Sequence, residues 1–445
     1  MKRRIWLIVA VLIALSALPA FADNQFIVRT KGGRTAIDQT CARLGCTVIR
    51  TLDGSRNRVF LIATSDTTRP DFFLELLEDA EGVEHAERVR SAVLPEAPSN
   101  QNLNQNSVAA LNWLNDTRLV NYYGDTVWQG YVTQPAAQII RIAEAQRISN
   151  NGGAGIIAVI DTGIDPNHPA LKNSVTSGYD FIRDVSGLPS ELADLNQSTV
   201  AVLNQSTVAV LNQSTVAVLN QSTVAVLNDP RFAAFGHGTM IAGIIHLVAP
   251  RAKIMPLRAF RPDGTAYTSD IARAIYYAVQ NGANVINMSF SLPEFSSEVM
   301  RAVNFATRNG VVCVASVGND GKDVLVFPAA HGNVIGVAST TYQDLRSSFS
   351  NFGADTVWVA APGEGIITTF PGSSYAAAWG TSFSAAFVSG GAALLLDVDT
   401  KMNPIPTAEA LAHAKFISEE LGFGRLDLYE AVLARRKALQ LGNTY

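Results

Sequence analysis

Short apolar segments alternate with helical stretches through the C-terminal part of this chain, and this alternation constrains the fold more than any other feature. Segments this short and this uniformly apolar are typical of parallel strands that helices cover on both faces. We therefore predict an α/β domain built on a doubly wound, mostly parallel sheet. The segments are Gly155–Ile160, Lys253–Leu257, Val285–Met288, Val311–Ser316 and Val334–Val337.

An earlier region of the chain has a different order of elements. Alternating and helical periodicities between residues 25 and 89 predict the order β-α-β-β-α-β. That order is typical of a small ferredoxin-like α+β domain standing ahead of the larger one. The predicted elements are Gln25–Arg29, Thr35–Leu44, Thr47–Leu52, Val59–Ala63, Asp71–Leu77 and Gly82–Val89.

The N-terminus has the three parts of a secretory signal. Basic residues 2–4 precede the apolar run 5–18, and Ala20-Phe21-Ala22 supplies small residues for cleavage. We predict a signal peptide at residues 1–22 and a secreted protein, extracellular or periplasmic. An uncleaved anchor is the alternative, but the apolar run is shorter than the roughly 20 residues of a spanning helix. We expect no membrane partner once the signal is removed.

Between the two predicted domains the chain is rich in Asn, Gln and Ser, the composition of an exposed connection. The predicted organisation is a signal peptide at 1–22, the small domain at 23–92, a linker at 93–128 and the α/β domain at 129–445.

An octad, Leu-Asn-Gln-Ser-Thr-Val-Ala-Val, occurs four times without change between Leu195 and Asn228. Because eight is even, strands built from it would present the same faces in every copy, so a stack of short strands is one interpretation. The interpretation we favour is an insertion in a surface loop, since long loops cost little extra closure entropy.

Charge and cysteine content exclude some classes of function. The formal net charge is −4, so no positive excess is available to neutralise a nucleic-acid backbone, and we expect no such partner. Three cysteines are too few for a disulfide scaffold, and their spacing gives no zinc site. Cys41 and Cys46 could pair outside the cytoplasm or remain buried thiols. We expect no cofactor and no bound metal.

Four short motifs carry candidate chemistry. Asp161 ends an apolar strand, His237 lies between two glycines at a helix start, Ser382 opens a small-residue helix, and Asn319 follows a strand. Each alone also fits a cap, a turn or an ordinary structural role. Together they are the parts that acyl transfer needs: a carboxylate, a base, a nucleophile and an amide for the oxyanion.

With these motifs in the order Asp, His, Ser, the chain resembles the subtilase family of serine endopeptidases from about Tyr131 to Leu433. The resemblance implies a serine endopeptidase that cleaves proteins or peptides through an acyl-enzyme, and we expect the secreted protein to be a monomer. It implies an Asp161, His237 and Ser382 triad, with Asn319 as the oxyanion amide. The motifs that carry it are Asp161-Thr162-Gly163-Ile164-Asp165, Gly236-His237-Gly238-Thr239 and Gly380-Thr381-Ser382.

The resemblance also implies how substrate binds. A strand would pair with the substrate backbone, a second segment would form a wall of the primary specificity pocket, and a residue near its floor would leave room only for small or medium side chains. These are, in turn, Ser289, Phe290 and Ser291; Ser316, Val317 and Gly318; and Val326.

The small N-terminal domain resembles the family's inhibitory propeptide by its element order. This implies a self-processing precursor whose own propeptide is an intramolecular inhibitor.

The chain also departs from the family pattern. Ala386 stands where the family usually has proline, and Ser291 where it usually has glycine. The helix after His237 passes straight through residues 246–250 without the loop that forms a calcium site in many subtilases. The alternatives to a peptidase are an inactive subtilase-like binding protein and a repeat-bearing surface protein.

Overall fold

The computed structural model describes residues 24–65, 69–94, 112–195, 209–212, 215–218 and 230–442. The predicted signal peptide at 1–22 lies outside the described residues. So do residues 95–111 of the predicted linker and most of the octad tract.

Residues 24–94, here called the N-terminal unit, form an antiparallel sheet with strand order β2-β3-β1-β4. Two helices cover one face, where Phe26, Phe60 and Leu77 are buried together. The predicted β-α-β-β-α-β order is confirmed. The elements are β1 Gln25–Thr30, α1 Gly33–Leu44, β2 Cys46–Thr51, β3 Val59–Thr64, α2 Pro70–Glu78 and β4 Val83–Arg88.

A disulfide joins Cys41 of α1 to Cys46 of β2. The connection between the two elements turns at Gly45, whose φ of 74° is in the region that favours glycine. The structure therefore contains the pairing that the sequence left open.

The rest of the chain, here called the sheet domain, is built on eight strands in the order β10-β9-β13-β8-β15-β16-β17-β18. Every neighbouring pair is parallel except β10 with β9. The predicted doubly wound, mostly parallel sheet is confirmed. Its strands are β8 Ile156–Asp161, β9 Gly178–Asp180, β10 Val185–Gly187, β13 Lys253–Arg258, β15 Val285–Met288, β16 Val312–Ser316, β17 Val334–Thr340 and β18 Val359–Pro362.

Smaller sheets and helices complete the described chain. The strands are β5 Ser91–Val93, β6 Leu119–Tyr122, β7 Asp125–Trp128, β11 Ala209–Asn212, β12 Thr215–Val218, β14 Thr265–Tyr267, β19 Ile366–Phe370 and β20 Ser374–Ala378. The helices are α3 Gln129–Thr133, α4 Pro135–Ile139, α5 Ile142–Ile148, α6 His237–Val248, α7 Thr268–Gln280, α8 Ser297–Arg308, α9 Thr381–Val398, α10 Pro404–Leu411 and α11 Leu428–Gly442.

The two faces of the main sheet lie in two separate cores. Along β8, Ile157 and Val159 pack with α6 and α9, whereas Ala158 and Ile160 pack with α7 and α8. This alternation follows from the two-residue period of a strand. Helix α9 is the one described helix long and apolar enough to cross a membrane, and 89% of it is buried inside the sheet domain.

The register of the central strands brings their carboxyl ends to one edge. Ala158 of β8 pairs with Ile286 of β15, and Ala315 of β16 pairs with Met288. Asp161 and Ser316, the last residues of β8 and β16, therefore lie at the same edge, which is where doubly wound sheets place their sites.

The C-terminal part of the predicted linker is packed rather than exposed. Strands β6 and β7 form a hairpin in which Tyr122 and Val127 are buried, and the Tyr122 hydroxyl donates to the Leu247 carbonyl at 2.5 Å. The linker prediction over 93–128 is wrong for residues 119–128. The few apolar residues of this segment are enough to hold it in place because they pack against the core that α6 and α9 form with the main sheet.

Two short strands of the octad tract are described. β11 pairs antiparallel with β12 and parallel with β20, with Ala209 opposite Ala376. The tract thus extends a smaller sheet formed by β19 and β20, in line with the strand interpretation for this part of the repeat.

Candidate active site

Asp161 is held rigidly at the end of β8. It is fully buried, its backbone carbonyl accepts hydrogen bonds from the amides of Ala259 and Phe260 at 3.1 Å, and its side chain accepts one from the Thr162 amide at 2.8 Å. These bonds leave the carboxylate one orientation.

His237 begins α6 directly after Gly236, whose φ is 89°. A side chain at Gly236 would come within 2.5 Å of the Phe370 ring, so glycine is required there for both backbone and space. The imidazole Nδ1 lies 2.8 and 2.9 Å from the two carboxylate oxygens of Asp161. With Nδ1 facing a carboxylate, that nitrogen carries the proton and Nε2 is left as the basic atom.

Ser382 lies in the first turn of α9, next to the end of β15. Its Oγ donates to the Ser289 carbonyl at 3.4 Å, and the Ser289 hydroxyl donates to the Ser382 carbonyl at 3.1 Å. Asn287 holds that hydroxyl from Nδ2 at 2.9 Å. The Phe383 ring lies 5.7 Å from the His237 ring, so the histidine contacts the start of the helix that carries Ser382.

Asn319 is buried beside the same helix start. Its Oδ1 accepts hydrogen bonds from the Thr381 amide at 2.9 Å and the Thr381 hydroxyl at 3.0 Å. Because the oxygen is used in this way, the amide nitrogen is the group turned toward other partners. The Asn319 side chain, which carries an N–H donor, is thus hydrogen-bonded to Thr381, the residue before Ser382.

The predicted substrate strand is already paired with this chain's own backbone. Ser291 exchanges hydrogen bonds with Val93 of β5, at 3.1 and 3.3 Å. On its other side β5 pairs with β14, with Val93 opposite Thr265. Phe290 is fully buried and anchors the strand in the core. In the structure, Ser291 thus pairs with an extended segment of the chain's own backbone.

The predicted pocket wall runs beside that strand. Ser316 and Val317 are fully buried, and Gly318 has a φ of 92°. The Asn351 side chain donates to the Val317 carbonyl at 2.9 Å and accepts from the amides of residues 320 and 322 at 3.0 Å. Asn351 therefore fixes the loop that carries Asn319.

Val326, predicted near the pocket floor, is half buried. Its neighbour Phe327 accepts a hydrogen bond from the Leu292 amide at 2.9 Å, directly after the substrate strand. The hydrogen bond between Leu292 and Phe327 therefore places Val326, the residue before Phe327, near the end of that strand. None of the described hydrogen bonds joins Val326 to Ser382.

Sequence reasoning missed Glu191, which lies behind the Asp161–His237 pair. It is buried, and its carboxylate accepts hydrogen bonds from the hydroxyls of Thr162 and Thr239 and from the Gly238 amide. Burial raises its pKa to about 7. Glu191 thus links the residues that follow Asp161 and His237. Its position just before the octad tract gave no motif by which to find it.

Among the described residues, no group of three His, Cys, Asp or Glu side chains is arranged to hold a metal ion.

Several known proteins are similar to this chain in sequence. The model of the subtilase family matches residues 152–427. The chain is 33% identical over 322 residues to the thermophilic serine proteinase of Bacillus sp. (strain AK1), covering 69% of this chain and 68% of that protein. It is 34% identical over 272 residues to thermitase of Thermoactinomyces vulgaris, covering 59% of this chain and 81% of thermitase.

A solved structure shares the fold. The crystal structure of fervidolysin from Fervidobacterium pennivorans, a keratinolytic enzyme related to subtilisin, superposes with a TM-score of 0.65 at 21% identity. The match covers 92% of this chain and 61% of fervidolysin.

Proposed function

The chain belongs to the subtilase family and is a serine endopeptidase, and on this premise we propose that Asp161, His237 and Ser382 are its catalytic residues. The observation that carries the proposal is the contact of the His237 Nδ1 with both oxygens of a buried Asp161, on the edge where Ser382 lies in the first turn of α9.

In the proposed reaction the Ser382 hydroxyl attacks the scissile carbonyl while His237 Nε2 takes its proton. The negative charge on the carbonyl oxygen is stabilised by the Asn319 amide nitrogen and the Ser382 backbone amide. His237 then gives the proton to the leaving amine, and an acyl-enzyme forms. A water molecule attacks the ester in the same way and releases the second product. Asp161 stabilises the imidazolium in both steps.

Two serines of α9 supply a test variant and its control. Ser382→Ala should abolish casein hydrolysis, a loss of at least about 10⁴-fold, because the ester can no longer form. Ser384→Ala is the control, since that hydroxyl donates to the Ala361 carbonyl at 2.9 Å and takes no part in the reaction. Cleavage of casein by the Ser382→Ala protein would refute the assignment.

We also propose that the N-terminal unit is an inhibitory propeptide. Residues 91–94, here called the tail, lie between two rims of the cleft: Val93 pairs with Ser291, and the Leu94 amide donates to the Gly264 carbonyl at 3.0 Å. Val93 and Ser291 form an antiparallel bridge, and Ser289, whose carbonyl is contacted by Ser382, lies two residues before Ser291. A substrate-like tail in this position supports inhibition by occupation of the cleft.

The same arrangement supports self-processing, with the first cut after Leu94 in the predicted linker. A tail already bound presents its own peptide bond at high effective concentration, so the cut should be intramolecular. Precursor lacking residues 1–22 should convert at a rate independent of its concentration, and the Ser382→Ala precursor should stay whole. N-terminal sequencing and intact mass over a dilution series test this. A rate that scales with concentration would contradict it.

Secretion and specificity complete the proposal. We place the protein outside the cytoplasm because of the signal pattern at 1–22, so the exported precursor should begin at Asp23 and deletion of residues 2–22 should keep it inside the cell.

Val326 beside the substrate strand favours small or medium side chains before the cut. Cleavage of a peptide library by the processed enzyme tests that preference, and a preference for large aromatic side chains would contradict it.

A further inference from the structure

A cavity of about 620 Å³ lies where the N-terminal unit meets the sheet domain. Four arginines line it, two from each side: Arg29 and Arg56 from the N-terminal unit, and Arg301 and Arg308 from α8. None of the described residues that line it is acidic. The other lining residues are Tyr276, Asn304, Phe305 and Asn309.

The positive charge of this cavity is only partly balanced. Arg29 and Arg301 share one carboxylate, that of Glu298, at 2.6 and 3.4 Å. Arg56 stacks over the Phe305 ring at 4.3 Å. Within the described ranges, neither Arg56 nor Arg308 forms an ion pair with an acidic side chain. Among the described residues, Glu298 is therefore the one carboxylate that forms an ion pair with any of the four arginines that line the cavity.

We propose that this cavity binds a compact polyanion that carries several phosphate groups, such as tripolyphosphate. A guanidinium group presents its donors as a planar fork that matches phosphate oxygens in pairs. The cavity volume is about twenty times the roughly 30 Å³ that a water molecule occupies in the liquid, so there is room for more than one phosphate group.

The neutral residues of the cavity suit the same ligand. Asn304 uses its side-chain oxygen to accept hydrogen bonds from His331 Nε2 at 3.0 Å and Asn333 Nδ2 at 3.1 Å. Its amide nitrogen is therefore the group that remains to donate to an anion. Tyr276 is held by Arg29, which donates to the tyrosine hydroxyl at 3.1 Å. Donors thus outnumber acceptors on this surface.

Both units build the cavity, so the ligand binds only while they are associated. A ligand present at 100 times its Kd would tighten that association about 100-fold. The polyanion would therefore retard the release of the N-terminal unit and delay activation. This consequence rests on the proposed function, whereas the binding itself does not.

Titration calorimetry of the Ser382→Ala precursor lacking residues 1–22 tests the binding. Tripolyphosphate is the probe, and sodium chloride keeps the ionic strength constant. Arg56→Ala and Arg308→Ala should each weaken binding at least tenfold, because each removes an unbalanced charge from a different wall. Arg34→Ala, whose guanidinium pairs with Asp38 at 2.8 Å, and Arg147→Ala on α5 should leave the affinity unchanged.

Three results would overturn the proposal: no binding at millimolar tripolyphosphate, equal losses in the cavity and control variants, or binding no tighter than that of inorganic sulfate. The readout is the heat of binding by a protein without the Ser382 hydroxyl. A failed peptidase assignment would therefore leave this result unaffected, and the two failures are distinguishable.

Discussion

The N-terminal unit and the sheet domain cover their sheets in different ways. The main sheet has its own helices on both faces. The N-terminal sheet has helices on one face only, and its other face, with Ile27, Val59 and Leu61, packs beside Tyr267 of the sheet domain. The sheet domain thus covers both faces of its main sheet with its own helices, and Ala92 and Leu94 of the N-terminal unit add to one of its two cores. The N-terminal unit, by contrast, depends on the sheet domain to keep one face of its sheet from water.

This difference separates two sets of expected effects. Changes to the buried polar network of the sheet domain should alter turnover and leave inhibition unchanged. Changes to the docking face of the N-terminal unit should alter inhibition and leave the turnover of processed enzyme unchanged.

Asn319→Ala should give the largest effect on turnover among the supporting residues. Loss of its amide nitrogen removes a donor to the oxyanion, and kcat should fall about 100- to 1,000-fold, the range known for the equivalent donor in the related subtilisin. Because a loss of turnover would also slow self-processing, the activation lag cannot separate the two effects. The constants kcat and KM are therefore measured on processed enzyme. Asn281→Ala, an exposed asparagine after α7, is the control. A loss below threefold would remove Asn319 from the site.

Glu191→Gln should give the next largest effect. The amide cannot accept all three hydrogen bonds, so the Asp161–His237 pair loses its alignment, and a misplacement of about 1 Å can cost about 100-fold. We expect kcat to fall between tenfold and 100-fold with KM unchanged. Where Glu191 is ionised, near and above pH 7, its negative charge favours imidazolium, so its loss should move the part of the acid limb of the kcat profile that lies near neutrality to lower pH.

The pH profile distinguishes this from a merely structural role. Burial raises the pKa of Glu191 to about 7, so the ionised fraction of this carboxyl group increases as the pH rises toward neutrality. An unmoved acid limb in Glu191→Gln would show that the carboxylate does not act on His237.

These residues show how far the sequence reaches. The triad candidates stand in short motifs with strong local meaning, and the strands were found because both sheet faces are uniformly apolar. Glu191 and Asn351 act through contacts with residues far along the chain, so no local pattern marks them. The β6–β7 hairpin was missed because its polar composition hides the two side chains that enter a distant core.

Glu87→Ala should act on inhibition alone. The Glu87 carboxylate accepts hydrogen bonds from the Ser296 hydroxyl at 2.5 Å and the Glu298 amide at 3.3 Å, at the N-terminus of α8. A cap of this kind contributes about 0.5–2 kcal/mol, and about 1.4 kcal/mol corresponds to tenfold. The lag before activity appears should shorten about tenfold.

The control for Glu87→Ala lies on the same strand. Glu84 pairs with Arg58 inside the N-terminal unit at 2.8 Å, so Glu84→Ala should leave the lag close to that of the wild type. Equal lags for the two variants, or a changed kcat of the processed Glu87→Ala enzyme, would break the separation between the two regions.

Deletion of residues 196–228 should have the smallest effect. The tract extends the edge of β20, and long surface loops cost little closure entropy. We expect kcat/KM of the processed enzyme to stay within about threefold of the wild type. A tenfold loss would show that the octads support the cleft, which would favour a functional role for the repeat.

Labelling of the nucleophile tests the central claim most directly. Processed wild-type enzyme is treated with a fluorophosphonate probe, and the modified residue is mapped by tandem mass spectrometry, with His237→Ala treated in parallel. The account predicts a single modified serine, Ser382, and a large loss of labelling without the imidazole base. A label on another serine, or equal labelling of Ser382 in His237→Ala, would contradict it.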